Sequence, residues 1–176
     1  MERKGFPESY DLRRMLEFMI ALRQGATKLK VPVYSHDSYD IVPNEYLEIR
    51  RPEILILEGL NLLQVYPLAA TLTPNIFASD MIDFSIYIDA AELHVRQWYL
   101  ERFLLLKKTA FRNPRSFFHH LADVSEAEAR AFANGIWERV NLENLETNLA
   151  PTRERAQVIM QKGADHRVQE VWLRRV

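Results

Sequence analysis

The sequence of 176 residues contains no cysteine, and this absence excludes disulfide bonds, thiol nucleophiles and thiolate metal sites. Glycine is scarce, with five residues, and no Gly/Ser linker or internal repeat divides the chain. No apolar run approaches the length of a membrane span, and the charged start MERKGFPESYD lacks the apolar centre of a signal peptide. We therefore expect one compact cytoplasmic domain over residues 1–176 that does not enter a membrane.

An excess of charge of one sign is also lacking. The formal net charge is -1, so nothing attracts the chain as a whole to nucleic acid or to an anionic membrane. Hydrophobic residues make up 48% and charged residues 27%, as in soluble globular proteins. We therefore expect small-molecule partners at local sites and no nucleic-acid partner.

The hydrophobic pattern predicts alternating strands and helices. A capping box at Ser125 and Glu128 marks the start of one helix, and Gly25 ends another. In chain order, the predicted elements are a helix from Tyr10 to Arg23, strands at Val31–Tyr34 and Tyr46–Ile49, buried parallel strands at Glu53–Gly59 and Asp83–Asp89, a helix from Ala91 to Lys108, a helix from Ser125 to Leu149, and strands at Ala156–Met160 and Val168–Leu173. This order predicts an α/β fold with a mostly parallel sheet.

Two polar clusters follow predicted strands, where ligands bind in open α/β sheets. Glu58 ends the run ILILEG, and it either helps to hold magnesium beside a phosphate or caps a helix that begins near Asn61. The segment YSHDSYD carries Tyr34, His36 and Tyr39. This segment is either a polar turn or a set of hydrogen-bonding groups for a polar substrate.

The long helices carry two further candidate pairs. Tyr99 and Arg102 are three residues apart and share a helical face, so Arg102 either neutralises charge on a transferred phosphate or is a solvated arginine paired with a neighbouring glutamate. Asn141 and Asn144 have the same spacing, and their amides suit a carboxylate. Asparagine is a poor helix former, so the pair favours a functional explanation without requiring one.

Aromatic and basic residues supply the last two candidates. Phe103, Phe111 and Phe118 either pack a core or line a channel for an apolar ligand. The loop KGADH, with Lys162 and His166, either meets a nucleotide base and phosphate or forms an ordinary hairpin turn.

Six short sequences occur in one order along the chain, and they are more specific than any single candidate. They are KGFPESYD, PVYSH, ILILEGLN, DFSIYIDA, WYLERF and LAPTRERA, which begin at Lys4, Pro32, Ile54, Asp83, Trp98 and Leu149. Together they resemble the carboxy-terminal two-thirds of the bacterial-type (type I) pantothenate kinases, along essentially the whole chain.

The resemblance implies a P-loop kinase-like, three-layer α/β/α fold with a helical lid at about residues 91–150. It implies ATP-dependent phosphorylation of pantothenate, the first step of coenzyme A synthesis, with ATP and magnesium as cofactors. It further implies a homodimer and feedback inhibition by coenzyme A. Within the resemblance, alternatives are another P-loop metabolite kinase, such as a uridine kinase or phosphoribulokinase, and a non-catalytic remnant that binds coenzyme A.

The resemblance also implies roles for the candidate residues. Glu58 is retained as the magnesium candidate. The predicted pantothenate contacts are His36, Tyr99, Asn141, Tyr34 and Tyr39. The predicted nucleotide contacts are Arg102, which reaches the phosphates, His166, which lies beside the adenine, and Lys162. The predicted pocket for the pantetheine arm of coenzyme A consists of Phe103, Phe111 and Phe118, and Leu121 stands where the family commonly has a further aromatic residue.

The sequence departs from the family pattern at the phosphate-binding end. It contains no G-x-x-x-x-G-K-[ST] sequence, and the family's catalytic aspartate, in a DGF element, would precede Met1. We therefore expect the P-loop strand and its helix to be absent, and the chain on its own to be inactive and either marginally stable or prone to aggregation.

Overall fold

The computed structural model describes residues 3–65 and 76–175 and shows a mixed α/β architecture. The helices are α1 (Leu12–Arg23), α2 (Glu92–Lys108) and α3 (Glu126–Ile136), and the strands are β1 (Leu29–Ser35), β2 (Asp40–Ile49), β3 (Ile86–Ala90), β4 (Val158–Lys162) and β5 (Val168–Leu173). Short 3₁₀ turns occupy Pro7–Ser9, Ala78–Met81, Ala110–Arg112, His119–Leu121 and Ala150–Arg155. The predicted interleaving of helices and strands is confirmed.

Strands β1 and β2 form an antiparallel hairpin, in which Leu29 lies opposite Ile49 and Ser35 opposite Asp40. The register shifts between Pro32 and Tyr34. Proline has no backbone N–H and cannot complete a ladder at that point. Both predicted strands are confirmed, and each is longer than its apolar run because the hairpin continues to the polar turn that joins them.

Strands β3, β4 and β5 form the second sheet in that order. Strand β3 runs parallel to β4, from the pair Ile86 and Val158 to the pair Ala90 and Lys162, and β5 is antiparallel to β4. The predicted hairpin around KGADH is confirmed. Among the described residues, only the β3–β4 pair is parallel, so the sheet that they form is mixed rather than mostly parallel.

The prediction of a buried strand at Glu53–Gly59 is wrong for this structure. The segment has no assigned strand, and the side chains of Ile54 and Ile56 are 82% and 87% exposed. No described strand lies alongside it to pair its backbone N–H and C=O groups, and a strand forms only with such a partner. The run ILILEG therefore has the composition of a central strand without the pairing.

Helix α1 begins and ends as its sequence predicts. The Asp11 carboxylate accepts a hydrogen bond of 3.0 Å from the Arg14 backbone N–H, and Gly25 adopts a φ of +84° just beyond the last turn. A left-handed φ at this point favours glycine. The apolar face of the helix buries Leu16 and Met19.

The main core lies between α2, α3 and the segment that joins them. Ala129 and Ala133 are 0% exposed, and these small side chains let α3 approach α2 closely. The Ser125 hydroxyl accepts a bond from the Glu128 N–H, and the Glu128 carboxylate accepts one from the Ser125 N–H, so the predicted capping box is confirmed. None of the helices in the described ranges has both the length and the apolarity that a membrane span needs.

The chain continues from α3 as a helical run to residue 149, but two stretches of it are π-helical. These are Trp137–Asn141 and Leu145–Leu149, with a turn of α-helix at Leu142–Asn144 between them. The predicted helix to Leu149 is confirmed, although its hydrogen-bonding pattern is not uniform. Such π-helical turns are rare and often lie at functional sites.

Candidate functional site

A cleft of about 680 Å³ is lined by β3 and by residues of the segment 57–63, which ends in a turn. Asp89 and Lys162 line it from the ends of β3 and β4, and Glu58 lines it from the opposite side. Because β3 and β4 are parallel, their carboxyl ends meet at one edge. This is the position at which open α/β sheets bind their ligands.

The two carboxylates in the cleft differ in their surroundings. Asp89 accepts a hydrogen bond of 2.8 Å from Arg153 Nε, and the guanidinium of Arg153 also lies 4.7 Å from the centre of the Trp172 ring. The bond to Asp89 raises the pKa of Arg153. Glu58 is exposed and makes no ion pair within the described parts of the chain, so it is the carboxylate left available to a ligand.

Two of the three residues predicted to meet a nucleotide, Lys162 and His166, lie together beside Trp98, and both Lys162 and Trp98 line the cleft. The His166 imidazole stacks on the Trp98 indole with 4.1 Å between ring centres, and Lys162 Nζ lies 3.3 Å from His166 Nδ1. The Trp98 indole N–H donates to the Ala164 carbonyl at 3.1 Å, which ties the β4–β5 turn to α2. Trp98 therefore covers one face of the His166 ring, and His166 lies in an exposed turn.

A second group of polar residues surrounds the Lys4 ammonium. Lys4 Nζ lies 3.8 Å from the centre of the Tyr39 ring and 4.9 Å from that of Tyr34, and it donates to the Tyr39 carbonyl oxygen. The His36 ring meets Tyr34 edge-on at 5.3 Å. Two predicted pantothenate contacts, Tyr34 at the end of β1 and Tyr39 in the β1–β2 turn, therefore flank a cation that the sequence patterns do not indicate, and His36 adjoins Tyr34.

Tyr99 and Asn141 face each other across the neighbouring helices. Burial raises the pKa of the Tyr99 hydroxyl to about 12, the Asn141 side chain opposes the rise by hydrogen bonding to it, and the nearby Tyr39 adds to it. Burial also raises the pKa of Tyr39 and of Tyr10, and the tyrosines around them reinforce the effect. At neutral pH this site therefore contains protonated phenols, which act as hydrogen-bond donors.

The predicted partnership of Asn141 and Asn144 is different in the structure. Asn144 is 5% exposed, and its amide nitrogen donates to the Gly5 carbonyl at 2.9 Å. Its amide oxygen accepts from Asn148 at 2.9 Å. The prediction that both amides are available for a carboxylate is therefore wrong for Asn144, because internal partners use both ends of its side chain.

The three predicted pocket phenylalanines touch one another. The ring of Phe111 lies 5.4 Å from that of Phe103 and 5.0 Å from that of Phe118. Phe103 and Phe111 are 6% and 5% exposed, and Leu121 completes the same cluster. Their close packing gives them a core role, and a ligand role for their outer surface stays a prediction.

Arg102 is exposed on α2 and makes no hydrogen bond or ion pair with any residue that the structure describes. The alternative of an arginine held by Glu92 or Glu101 is therefore not observed. Its guanidinium is available to a ligand, and its predicted contact with phosphate stays a prediction.

Sequence reasoning missed Lys4 and Arg153 as site residues. Both residues lie in the specific short sequences, Lys4 in KGFPESYD and Arg153 in LAPTRERA. A signal for Lys4 was its position beside Gly5, which marks an abrupt turn at the start of the motif. Arg153 carried no such signal, because its partners Asp89 and Trp172 are distant in sequence.

Comparisons with known proteins agree along the whole chain. A pantothenate kinase of Rhodopseudomonas palustris (strain BisB18) is 53% identical over 176 residues, which are 100% of this chain and 56% of that protein. Pantothenate kinases of Bradyrhizobium sp. (strain ORS 278) and Brucella ovis are 53% and 49% identical, again over the full chain and 55% of each relative. The chain thus spans about half the length of the curated relatives it matches.

The fold comparison and the family comparison are independent, and the family assignment rests on the second. A solved structure titled "Structure of YGR205w protein" aligns with 99% of this chain and 68% of its own length, with a TM-score of 0.59 and 14% identity, which supports the fold alone. Residues 5–102, more than half of the chain, match the family described as Phosphoribulokinase / Uridine kinase. The chain belongs to the phosphoribulokinase/uridine kinase family, and its homologues over all 176 residues include pantothenate kinases.

Proposed function

We propose that this chain forms the pantothenate-binding and lid portion of a pantothenate kinase. The observation that carries the proposal is the similarity to proteins of that name, at 49–53% identity over the full chain. The family as a whole includes kinases of other small alcohols. The Lys4 ammonium, which lies beside the Tyr34 and Tyr39 rings, supports an anionic substrate.

In the proposed reaction, the primary hydroxyl oxygen of pantothenate bonds to the γ-phosphorus of ATP as the bond from that phosphorus to the β–γ bridging oxygen breaks. ADP leaves, and the hydroxyl proton passes to a base. Such transfers depend almost entirely on positioning and on charge stabilisation. The chain contains no G-x-x-x-x-G-K-[ST] sequence, so in the proposed kinase a phosphate-binding loop would have to come from residues outside these 176.

On the substrate side, the Lys4 ammonium would face the pantothenate carboxylate. The Tyr99 hydroxyl, held protonated by burial, would donate a hydrogen bond, and the Asn141 amide would both donate and accept. His36 lies at the open side of this pocket, edge-on to Tyr34. These groups match a ligand that carries one carboxylate, one amide and two hydroxyls.

On the nucleotide side, the exposed face of His166 would receive the adenine ring, since Trp98 covers its other face. Lys162 lies beside it, at the end of β4 and in the wall of the cleft. Arg102 would reach the phosphates from α2, where its guanidinium has no described partner. The predicted lid over residues 91–150 contains Trp98 and Arg102.

Magnesium fits the cleft through Glu58. Mg²⁺ is usually held by one or two carboxylates together with waters and substrate phosphates, so a single free carboxylate is sufficient from the protein. Asp89 is committed to Arg153, and the described residues contain no cluster of three or more His, Asp or Glu side chains around one point. When bound, the ion would neutralise charge on the phosphates.

Coenzyme A as a feedback inhibitor and a homodimeric assembly belong to the same proposal. The outer surface of the Phe103, Phe111 and Phe118 cluster would receive the pantetheine arm, and Leu121 would form part of that wall. Calorimetry with coenzyme A tests the first point, and sedimentation of the purified chain tests the second.

A hybrid enzyme tests the proposed function directly. The 176 residues replace the matching segment of the Rhodopseudomonas palustris relative, and phosphorylation of pantothenate, uridine and ribulose 5-phosphate is measured with ATP and Mg²⁺. We expect turnover of pantothenate alone. His36→Ala and Asn141→Ala hybrids should lower kcat/KM for pantothenate by about tenfold or more, since each removes a hydrogen bond to the substrate.

Two outcomes would overturn the proposal. One is a folded hybrid that phosphorylates uridine or ribulose 5-phosphate in preference to pantothenate. The other is a folded hybrid that turns over none of the three substrates while the parent relative is active under the same conditions.

A further inference from the structure

Three buried amide side chains form a connected chain of hydrogen bonds between two distant parts of the sequence. Asn144 Nδ2 donates to the Gly5 carbonyl at 2.9 Å, Asn148 Nδ2 donates to Asn144 Oδ1 at 2.9 Å, and Gln64 Nε2 donates to the Asn148 carbonyl at 3.2 Å. The three residues are 5%, 7% and 6% exposed. We refer to Gln64, Asn148 and Asn144 as the amide ladder.

The ladder ends on the carbonyl of Gly5, the residue that follows Lys4. Gly5 has a φ of +97°, and its N–H donates to the Ser9 hydroxyl at 3.0 Å, so both sides of the residue are held. The left-handed backbone at Gly5 turns the chain sharply next to Lys4. Lys4 then places its ammonium over the rings of Tyr39 and Tyr34.

The same helical run also supplies the opposite side of the pocket. Asn141 lies three residues before Asn144 and seven before Asn148, so the three amides follow one helical stripe. Asn141 meets Tyr99, and Asn144 meets Gly5. Asn144 and Asn148 are joined directly by a hydrogen bond of 2.9 Å, and π-helical turns lie on both sides of Leu142–Asn144.

Stability alone does not favour such a ladder. Asparagine and glutamine lose water on burial and recover the cost only when their hydrogen bonds are made, whereas an apolar residue of similar size would fill the space without that requirement. Asn144 has a partner at each end of its amide, so its side chain has one orientation that keeps both hydrogen bonds, and one of those bonds holds the Gly5 carbonyl beside Lys4. The side-chain oxygen of Gln64, at the other end of the ladder, has no partner among the described residues.

We propose that Asn144 is a positioning residue that holds Lys4 in place for the carboxylate of the substrate, acting through the Gly5 peptide. The inference rests on the proposed function, in which that substrate is pantothenate. Asn144 does not touch the ligand. Its loss should therefore weaken recognition of the carboxylate and leave the rest of the pocket in place.

Two ligands separate this role from a general structural one. Pantothenate carries the carboxylate, and panthenol replaces it with a primary alcohol. The affinity of the full chain for each is measured by calorimetry, with Asn144→Asp as the main variant. The new carboxylate has nearly the size of the amide and still accepts from Asn148, but it cannot donate to the Gly5 carbonyl.

We expect Asn144→Asp to weaken pantothenate binding by about tenfold and panthenol binding by less than about threefold, since a misplaced charged partner affects mainly the charged ligand. Lys4→Met should produce the same selective loss, and the double variant should bind no worse than Lys4→Met alone. Thr147→Ala, on the exposed side of the same helix, is the matched control and should change neither affinity.

A second variant keeps the test independent of how well Asn144→Asp folds. Ser9→Ala releases the other end of the Gly5 residue without altering the helix, and it should also weaken pantothenate selectively. Equal losses for the two ligands, or no loss for either, would overturn the inference while leaving the proposed function intact. A parent chain that is folded and binds neither pantothenate nor panthenol would overturn both.

Discussion

The Arg153 guanidinium joins the end of β3 to the last strand of its sheet. Its Nε donates to the Asp89 carboxylate at 2.8 Å, and its planar group lies 4.7 Å from the centre of the Trp172 ring on β5. The side chains of Arg153 and Asp89 are 26% and 25% exposed, so the pair is only partly screened by water. Arg153, in the 3₁₀ turn at Ala150–Arg155, thus contacts both edge strands of the sheet, β3 and β5.

Replacing this arginine should lower stability. Arg153→Met keeps most of the side-chain volume but removes the ion pair and the cation–π contact, and we expect the free energy of unfolding to fall by about 1–2 kcal/mol. Equilibrium unfolding in urea measures the change. Arg167→Met is the matched control, because Arg167 and Asp165 form an exposed pair and their separation should cost almost nothing. Equal stability of Arg153→Met and the parent would contradict the structural role.

The raised pKa of Tyr99 predicts how stability changes at alkaline pH. Burial raises this pKa to about 12 in the folded chain, above the value of about 10 that an exposed tyrosine has. Between these two values the unfolded chain loses the proton first, so the contribution of Tyr99 is fully present below about pH 10 and is lost as the pH rises towards 12.

Tyr99→Phe should therefore make the free energy of unfolding less dependent on pH between about 10 and 12. The phenylalanine ring keeps the burial and removes the ionisable hydroxyl. Urea unfolding at several pH values measures the slope, and Tyr46→Phe, whose side chain is 50% exposed, is the comparison variant. The slope should not vanish, since burial also raises the pKa of Tyr10, Tyr39 and Tyr87. If the free energy of unfolding of Tyr99→Phe falls with pH as steeply as that of the parent, the Tyr99 hydroxyl does not have a raised pKa in the folded chain.

Local signals in the sequence predicted local structure well. The helix ended by Gly25 and the capping box at Ser125 and Glu128 depend on neighbouring residues, and both appear as expected. The run ILILEG failed because the formation of a strand depends on a partner, and no described strand lies beside it. The hydrophobic pattern of a segment indicates how apolar it is, but it does not indicate whether another strand lies beside it to form backbone hydrogen bonds.

The site was predictable to the extent that its residues lie in specific motifs. His36 and Tyr39 stand in one short segment, and the motif was sufficient to select them. The role of Asn144 was not predictable in this way. Its spacing from Asn141 indicates a ligand that both amides share, whereas the structure pairs it with Gly5 and Asn148. Only the fold brings Gly5 within reach of its amide, 139 residues earlier in the chain. Contacts over such separations follow from packing, which no local pattern encodes.

Two glycines should respond to alanine in opposite directions. Gly25 has a φ of +84° with open space around it, so Gly25→Ala introduces backbone strain without a clash and should lower stability by about 1 kcal/mol. Gly135 lies in α3, where an added Cβ would come no closer than 3.6 Å to Arg139. Gly135→Ala should raise stability by about 0.5–1 kcal/mol, because alanine is the better helix former. Thermal and urea unfolding of both variants measures the changes, and effects of the same sign would contradict the assignment.

The stack of His166 on Trp98 should be visible in solution. An indole whose ring centre lies 4.1 Å from an imidazole shifts the imidazole protons upfield through its ring current, and the interplanar angle of 24° places them over the indole face. Trp98→Leu should therefore move the His166 resonances downfield, and Trp98→Phe should move them less, because a smaller aromatic face remains. The His36 resonances serve as the control within the same spectrum, since that ring contacts Tyr34 instead.

The spectra also test which face of His166 is open. If the exposed face receives an adenine ring, addition of ATP should shift the His166 protons further upfield in the parent chain, while the Trp98→Leu variant, with an unsupported imidazole, should show a weaker response at the same concentration. His166 resonances that are the same in the parent and in Trp98→Leu would contradict the stack itself. A third outcome is that Trp98→Leu moves the His166 resonances as expected while ATP does not move them in the parent chain. His166 would then stack on Trp98 without contacting the nucleotide, and Lys162 and Arg102 would remain as the candidate nucleotide contacts.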